Sequence, residues 1–272
     1  MQAVTEGRFH YRLTPQVAYL EPAVLYGQPH LQCVFTLRQA GTSGRELNLS
    51  FDCGPRPEVL ANRQRLLHAL GLGHTTLYTV RQVHGNAVCV VDDRAVRHGL
   101  QGVAADALVT ALPHVPLGVL VADCVPIVLY TLDPPVLGVV HAGRMGTYHR
   151  VVSRTLAVMQ QHFGVQPSQV FAVFGPAIGG CCYTLDARAV RPFQEQFANW
   201  EEFFTRRDAA HWTMHLTAAN AAQLRTAGVP PAQIQMADIC TVCYTQYLYS
   251  HRAEGQAAGR CMGVAALRGE EV

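Results

Sequence analysis

Apolar residues along this chain fall into two periodicities. Short continuous runs of four to eight, bounded by Gly, Pro and Asp, mark buried strands. They predict strands at Leu31–Leu37, Thr76–Val83, Ala87–Val91, Leu117–Ala122, Ile127–Leu132, Val136–Val140, Val170–Phe174, Ile234–Ala237 and Val264–Leu267. Helical spacing appears between them. Glu58–Leu70 follows Pro57, which suits the start of a helix, and places Val59, Leu66 and Leu70 on one face. Thr147–Phe163 repeats Val152, Leu156, Met159 and Phe163 and meets Gly164 at its end. Asp186 is positioned to cap Ala187–Phe197, while Pro192 predicts a break inside it. Leu216–Ala227 ends at Gly228.

Helices are too few and too irregularly spaced for a regular βαβ barrel. The pattern predicts an α+β fold: a layered α/β sandwich with mixed sheets and helices outside. Over 272 residues there is no Ser/Gly tract, Pro-rich run or charge block to act as a linker, so one domain over 1–272 is expected.

Composition narrows the function. The chain is 49% hydrophobic and 15% charged, which supports a large core. Its net charge of +2 is scattered, which argues against a nucleic acid or an acidic membrane surface as partner. No apolar stretch reaches the roughly 18 residues of a membrane span, and the N-terminus lacks a basic-then-apolar leader pattern, so a cytoplasmic location is expected. Nine cysteines, an odd number, then read as thiols and ligands rather than disulfides. All 21 basic residues are arginine. Lysine-based Schiff bases, phosphate loops and general bases are therefore excluded.

The chemistry lies where apolar runs end. His84 stands in Arg81-Gln-Val-His84-Gly85, Cys124 in Ala122-Asp-Cys124-Val-Pro126 and His141 in Val139-Val-His141-Ala-Gly143. Taken singly, each is an ordinary way to finish a strand. Together, two imidazoles and a thiolate make a three-ligand zinc set whose fourth position stays open for water or substrate, the mark of a catalytic site. Phe174-Gly-Pro-Ala-Ile-Gly179-Gly180-Cys181-Cys182-Tyr183 is a turn-rich loop with adjacent cysteines, expected to stay reduced and packed. Cys240-Thr-Val-Cys243 is a CxxC without a second pair in sequence, and His211 and His215 lack the glutamate of a metalloprotease helix. Neither is expected to bind metal.

In order and spacing, these segments resemble the YfiH-like, laccase-domain family, now regarded as zinc-dependent purine nucleoside phosphorylases. Matching segments run from Phe35-Thr-Leu-Arg38 through Leu47-Asn48-Leu49, Gln82-Val-His84-Gly85, Ala105-Asp106-Ala-Leu-Val-Thr110, Asp123-Cys124-Val-Pro126 and His141-Ala-Gly143. They continue through Gly175-Pro-Ala-Ile-Gly179, Cys181-Cys182-Tyr183, Asp238-Ile-Cys240-Thr241, Ser250-His-Arg252 and Gly259-Arg260. The resemblance implies His84, Cys124 and His141 as metal ligands, with zinc as the ion and copper as its alternative. It implies phosphorolysis of adenosine, inosine, guanosine and methylthioadenosine, with adenosine deamination as a second activity. Nucleosides and phosphate are then the partners, and the oligomeric state stays open between monomer and homodimer.

Within that reading Arg38 is the candidate phosphate clamp, because a guanidinium matches phosphate geometry bidentately. Ser43 and Asn48 are candidates to orient phosphate or ribose, and Asp106 and Asp123 to carry protons. The sequence departs from the family where Arg144-Met145 replaces a Trp-Arg pair, Gly180 a proline, Thr184 an acidic residue and Ala40 a glycine. Two other readings stand beside this one. A copper polyphenol oxidase needs clustered histidines, typically His-x-His pairs, and none of the 13 histidines forms one. A cysteine hydrolase or amidase would use Cys124 as nucleophile and His141 as base, as in related toxin deamidases.

Overall fold

The computed structural model describes residues 7–25 and 30–269. Two large sheets dominate it. A five-stranded antiparallel sheet has the order Phe9–Leu13, Ala18–Pro22, Leu31–Thr36, Cys261–Leu267, Leu117–Val121. A six-stranded mixed sheet has the order Ile234–Met236, Phe171–Phe174, Val125–Leu132, Pro135–Ala142, Ala107–Thr110, Val88–Val90. A three-stranded and a two-stranded antiparallel sheet are smaller additions. The α+β class, mixed sheet and outer helices match the expectation.

Period-two alternation sorts the core into layers. Along Val125–Leu132, Val125, Ile127 and Leu129 face the helices, while Val128 and Tyr130 face the other sheet. Along Cys261–Leu267, Cys261 and Ala265 face the gap between the sheets, while Met262, Val264 and Ala266 meet Leu66 and Leu67 of helix Arg56–Ala69 and Leu70 just after it. Helices Val151–Phe163 and Leu216–Thr226 cover the far side of the mixed sheet. The order of layers is helix, sheet, sheet, helices. Where Val151–Phe163 crosses the sheet, Gly138 admits it: a Cβ there would stand 3.3 Å from both Met159 Sδ and Thr155 Cγ2.

Eight of the nine predicted strands form within a few residues of the predicted bounds. Thr76–Val83 does not. Tyr78 pairs with the backbone around Leu117, Arg81 then bonds Val103 and Ala105, and the segment changes partner too soon for a ladder. The predicted helix Thr147–Phe163 is two helices, Arg144–Tyr148 and Val151–Phe163, separated at Arg150 in the left-handed region (φ 60°). The break is fixed from outside. Buried Thr147 is held through its hydroxyl by Asn220 and through its carbonyl by Gln223, and Arg150 lies 4.5 Å over the Phe197 ring. Helix Ala187–Gln196 runs unbroken through Pro192, with Asp186 capping the Ala189 amide as expected. One missing bond there is offset by burial of Val190 and Phe193. Among the described residues no helix is long and apolar enough to cross a membrane.

Candidate metal centre

The two large sheets are joined by the three residues Ala122-Asp123-Cys124, because the strand ending at Val121 belongs to one and the strand starting at Val125 to the other. Asp123 makes the turn with φ 89°. Its carboxylate accepts from Thr241 Oγ1 (2.5 Å), Ser250 Oγ (2.7 Å) and the Arg252 amide (2.6 Å), and its carbonyl accepts from the Ile178 amide. Those four bonds lock an unfavourable backbone angle and aim Cys124 at its neighbours. Asp123, expected to carry protons, is thus enclosed by donors.

His141 is the last but one residue of Pro135–Ala142 and continues the face of Leu137 and Val139, which is the face between the sheets. It is buried, and its Nδ1 lies 2.8 Å from Asp106 Oδ1. His84 sits on a turn in the left-handed region (φ 58°). Three successive amides of that turn, from Val83, His84 and Gly85, donate to the Asp106 carboxylate at 3.2, 2.9 and 2.7 Å. Such a run of amides is an anion nest, and here the anion is the protein's own. Asp106 is fully buried, so burial pushes its carboxyl up; the His141 and Gly85 hydrogen bonds outweigh this and hold it below the ordinary range. One carboxylate therefore sets both the turn bearing His84 and the ring of His141. Its lowered pKa suits an orienting anion better than the proton carrier expected from sequence.

Cys124 Sγ lies 3.9 Å from His84 Nε2, and the two imidazoles meet edge to face with centroids 4.8 Å apart. The three ligand atoms all fall within 4.8 Å of one another. Tetrahedral zinc needs separations of about 3.3–3.6 Å for N and S donors. A closure of a few tenths of an ångström for the Cys124–His84 pair, and of at most about 1.5 Å for any pair, makes the fit. With Nδ1 bonded to Asp106, His141 has Nε2 left for an ion, the carboxylate–histidine support common at zinc. Burial pushes the Cys124 thiol up, but His141 and His84 outweigh it and bring it down to about 6. His141 in turn is raised to about 9: burial lowers it, and Cys124 and Asp106 more than reverse that. The sulphur is held as the thiolate that metals take.

Gly143 fits this packing tightly. A Cβ on it would stand 2.8 Å from Cys124 Sγ and 3.0 Å from His84 Cδ2. Gly143→Ala is therefore expected to push two of these candidate ligands apart and weaken metal affinity by about tenfold or more, while the fold persists. Zinc retained through dialysis against a chelator reads this directly, and retention equal to wild type would show that the ligands tolerate the methyl group.

The ligands open onto a cavity of about 450 Å³, in the range of small-molecule sites. Its walls carry Arg81, Arg144, Arg252 and Arg260, with Tyr183, Ile178 and Ser50. Arg252 lies 5.0 Å over the Tyr183 ring. Arg38 and Ser43 are not brought there. The Arg38 guanidinium is taken by Glu46 (2.5 Å), Glu254 (2.9 Å) and the Thr245 carbonyl, stacked on Tyr249, and Ser43 bonds its own turn at Ala40. Asn48 acts one step away, holding the Ser50 amide and the Arg260 amide through its Oδ1. Of the cavity arginines, Arg252 and Arg260 lie within matched segments, Arg81 flanks one and Arg144 stands at a departure from the family pattern; none carries an assigned role in the sequence. A basic residue beside a ligand motif was the available signal.

The family described as multi-copper polyphenol oxidoreductase laccase matches residues 32–268. A purine nucleoside phosphorylase of Corynebacterium glutamicum is 34% identical over 238 residues, 85% of this chain and 92% of that one. A protein named adenosine deaminase, from an unknown prokaryotic organism, is 34% identical over 212 residues, 74% of this chain and 79% of that one. The crystal structure of YlmD from Geobacillus stearothermophilus superposes with TM-score 0.85 at 26% identity, covering 95% of this chain and 99% of that one.

Proposed function

The chain belongs to the multi-copper polyphenol oxidoreductase laccase family, and from that premise we propose that it is a zinc-dependent purine nucleoside phosphorylase. In this reading it acts on adenosine, inosine, guanosine and methylthioadenosine and also deaminates adenosine. The observation that carries the proposal is a His-Cys-His ligand set opening onto a cavity walled by four arginines and a tyrosine. Relatives named as phosphorylases, and one named as a deaminase, support it.

Zinc held by His84, Cys124 and His141 would supply Lewis-acid polarisation and an acidified bound water. The chain's own residues do the rest. The arginines offer a cationic wall for phosphate and for charge that develops as the C1′–N9 bond breaks. Tyr183, steadied by Arg252, offers a flat face to the purine. Asp106 keeps the His141 ring in one orientation throughout.

The copper reading is disfavoured by the cavity itself. A blue-copper centre completes a His₂Cys set with a weak axial ligand, commonly Met or Gln; among the described residues no methionine lines this site, and Gln82, which does, commits its side-chain amide and carbonyl to the backbone of Leu120. The hydrolase reading has a Cys124–His141–Asp106 array in its favour, but it gives His84, 3.9 Å from the sulphur, nothing to do.

Zinc-loaded protein is expected to release free purine base from inosine only when phosphate is present. Base release that ignores phosphate, or none at all, overturns the proposal. Arg144→Ala is expected to raise the phosphate concentration for half-maximal rate by about tenfold or more, the worth of one charge-assisted hydrogen bond. Zinc content stays unchanged. Phosphate kinetics identical to wild type would take Arg144 out of the binding wall.

A further inference from the structure

The CxxC that has no second pair in sequence acquires one in space. Folding brings Cys240 and Cys243 against the adjacent cysteines Cys181 and Cys182, and the four sulphurs lie within 4.8 Å of one another. Cys243 Sγ is 3.7 Å from Cys181 Sγ and 3.6 Å from Cys182 Sγ. Four thiolates around zinc, with bonds of about 2.3 Å, stand about 3.8 Å apart along each tetrahedral edge. We propose that these four cysteines form a second metal site, a closed four-thiolate zinc centre distinct from the His84–Cys124–His141 set.

Backbone geometry builds the site. Ala177 bridges to Cys240 as two parallel strands would, with the Ala177 amide on the Ile239 carbonyl and the Thr241 amide on the Ala177 carbonyl. That register places the turn Gly179–Cys182 beside the turn Cys240–Cys243. The Gly179 carbonyl then accepts from the Cys182 and Tyr183 amides, which presents both adjacent sulphurs to the same side. The Gly179 amide donates to Cys240 Sγ at 3.3 Å, the bond expected where a sulphur is to be held as thiolate. Gly179 is itself required by the cluster, because a Cβ there would stand 3.2 Å from both Cys181 Sγ and Cys240 Cβ.

The alternative occupants of such a cluster explain it less well. Packed thiols would be buried, yet Cys181 and Cys243 are exposed. A disulfide needs sulphurs about 2.05 Å apart and uses two of the four. A four-coordinate ion uses all four. Its binding exchanges four S–H bonds for four Zn–S bonds, with the protons passing to solvent and no change of oxidation state.

The consequence is mechanical. The loop of Cys181 and Cys182 carries Ile178 and Tyr183 on the cavity wall, and the loop of Cys240 and Cys243 carries Thr241, which bonds Asp123 beside Cys124. A shared ion would staple these loops, which are otherwise joined by few backbone bonds, and fix one wall of the active cavity.

Metal analysis of the full chain tests this. Wild type is expected to hold two zinc ions, Cys240→Ser/Cys243→Ser one, and His84→Asn one. A wild type that holds a single ion, lost in His84→Asn, overturns the second site. A second measurement needs no variant. Zinc-loaded wild-type protein is alkylated under native conditions and the modified cysteines are mapped by mass. Cys181 and Cys243 should resist despite their exposure and react once a chelator is added. Equal reaction with and without chelator, or a Cys182–Cys243 disulfide found in the untreated chain, overturns the proposal as well.

Discussion

Asp106→Asn is expected, under the proposed function, to weaken zinc binding at the His84–Cys124–His141 set by about 10- to 100-fold and to destabilise the metal-free fold by about 2–3 kcal/mol. The wild-type carboxylate uses both oxygens as acceptors, one for the His84 amide and His141 Nδ1, the other for the Val83 and Gly85 amides. An amide has one acceptor oxygen. If its NH₂ replaces Oδ2, it faces two N–H donors in a buried site. If it replaces Oδ1, it opposes the His84 amide and donates to His141 Nδ1, which moves the imidazole proton to Nε2 and removes that nitrogen as a ligand. Neither orientation keeps both the turn and the ligand. Zinc affinity by chelator competition, with urea unfolding of the metal-free proteins, measures the two effects. Wild-type zinc affinity with lost turnover would instead make Asp106 a proton carrier, the role that sequence alone suggested.

That contrast shows what one dimension carries. His84, Cys124 and His141 were legible because each ends an apolar run beside a turn former, and strand ends are where rigid side chains meet. Asp106 was visible as a residue but not as a role. Its function is to accept from amides 21 to 23 residues earlier and from a ring 35 residues later, and such separations leave no periodic trace. Arg38 misled for the same reason. A lone arginine in a loop advertises an anion site, and nothing local reveals that Glu46 and Glu254 already occupy it. The four cysteines look ordinary pair by pair in the sequence, since the spacing of a ligand set is a property of the fold when its halves come from different loops.

The layers were more legible than the edges. Buried strands such as Val125–Leu132 and Pro135–Ala142 are continuous apolar runs because both of their faces are covered. Short partners escaped: Ala107–Thr110, four buried residues one strand in from the edge of the mixed sheet, is too brief for a pattern, and His211–Met214 takes its order from two neighbours in the three-stranded sheet. The helix break at Arg150 was hidden as well, since its cause lies in the hold of Asn220 and Gln223 on Thr147, 73 and 76 residues away.

The largest functional effect is expected from His84→Asn. His84 is exposed on its turn, so its ring contributes little to the core, and asparagine accepts the left-handed backbone that the turn requires. Folding should be preserved. What is lost is one of three donors to the ion, and with it several kcal/mol of transition-state stabilisation, or at least about 100-fold in rate. Under the proposed function phosphorolysis and adenosine deamination should fall together, because both reactions draw on the same ligand set. They differ in the attacking group, phosphate in one and water in the other, and the arginine wall, not His84, distinguishes those. Arg144→Ala should accordingly depress phosphorolysis more than deamination, while His84→Asn lowers both by similar factors. Initial rates of base release and of ammonia release from adenosine, taken on the same zinc-equilibrated preparation, separate the cases. A His84→Asn protein that keeps one activity at the wild-type rate and loses the other would place the two reactions at different sites.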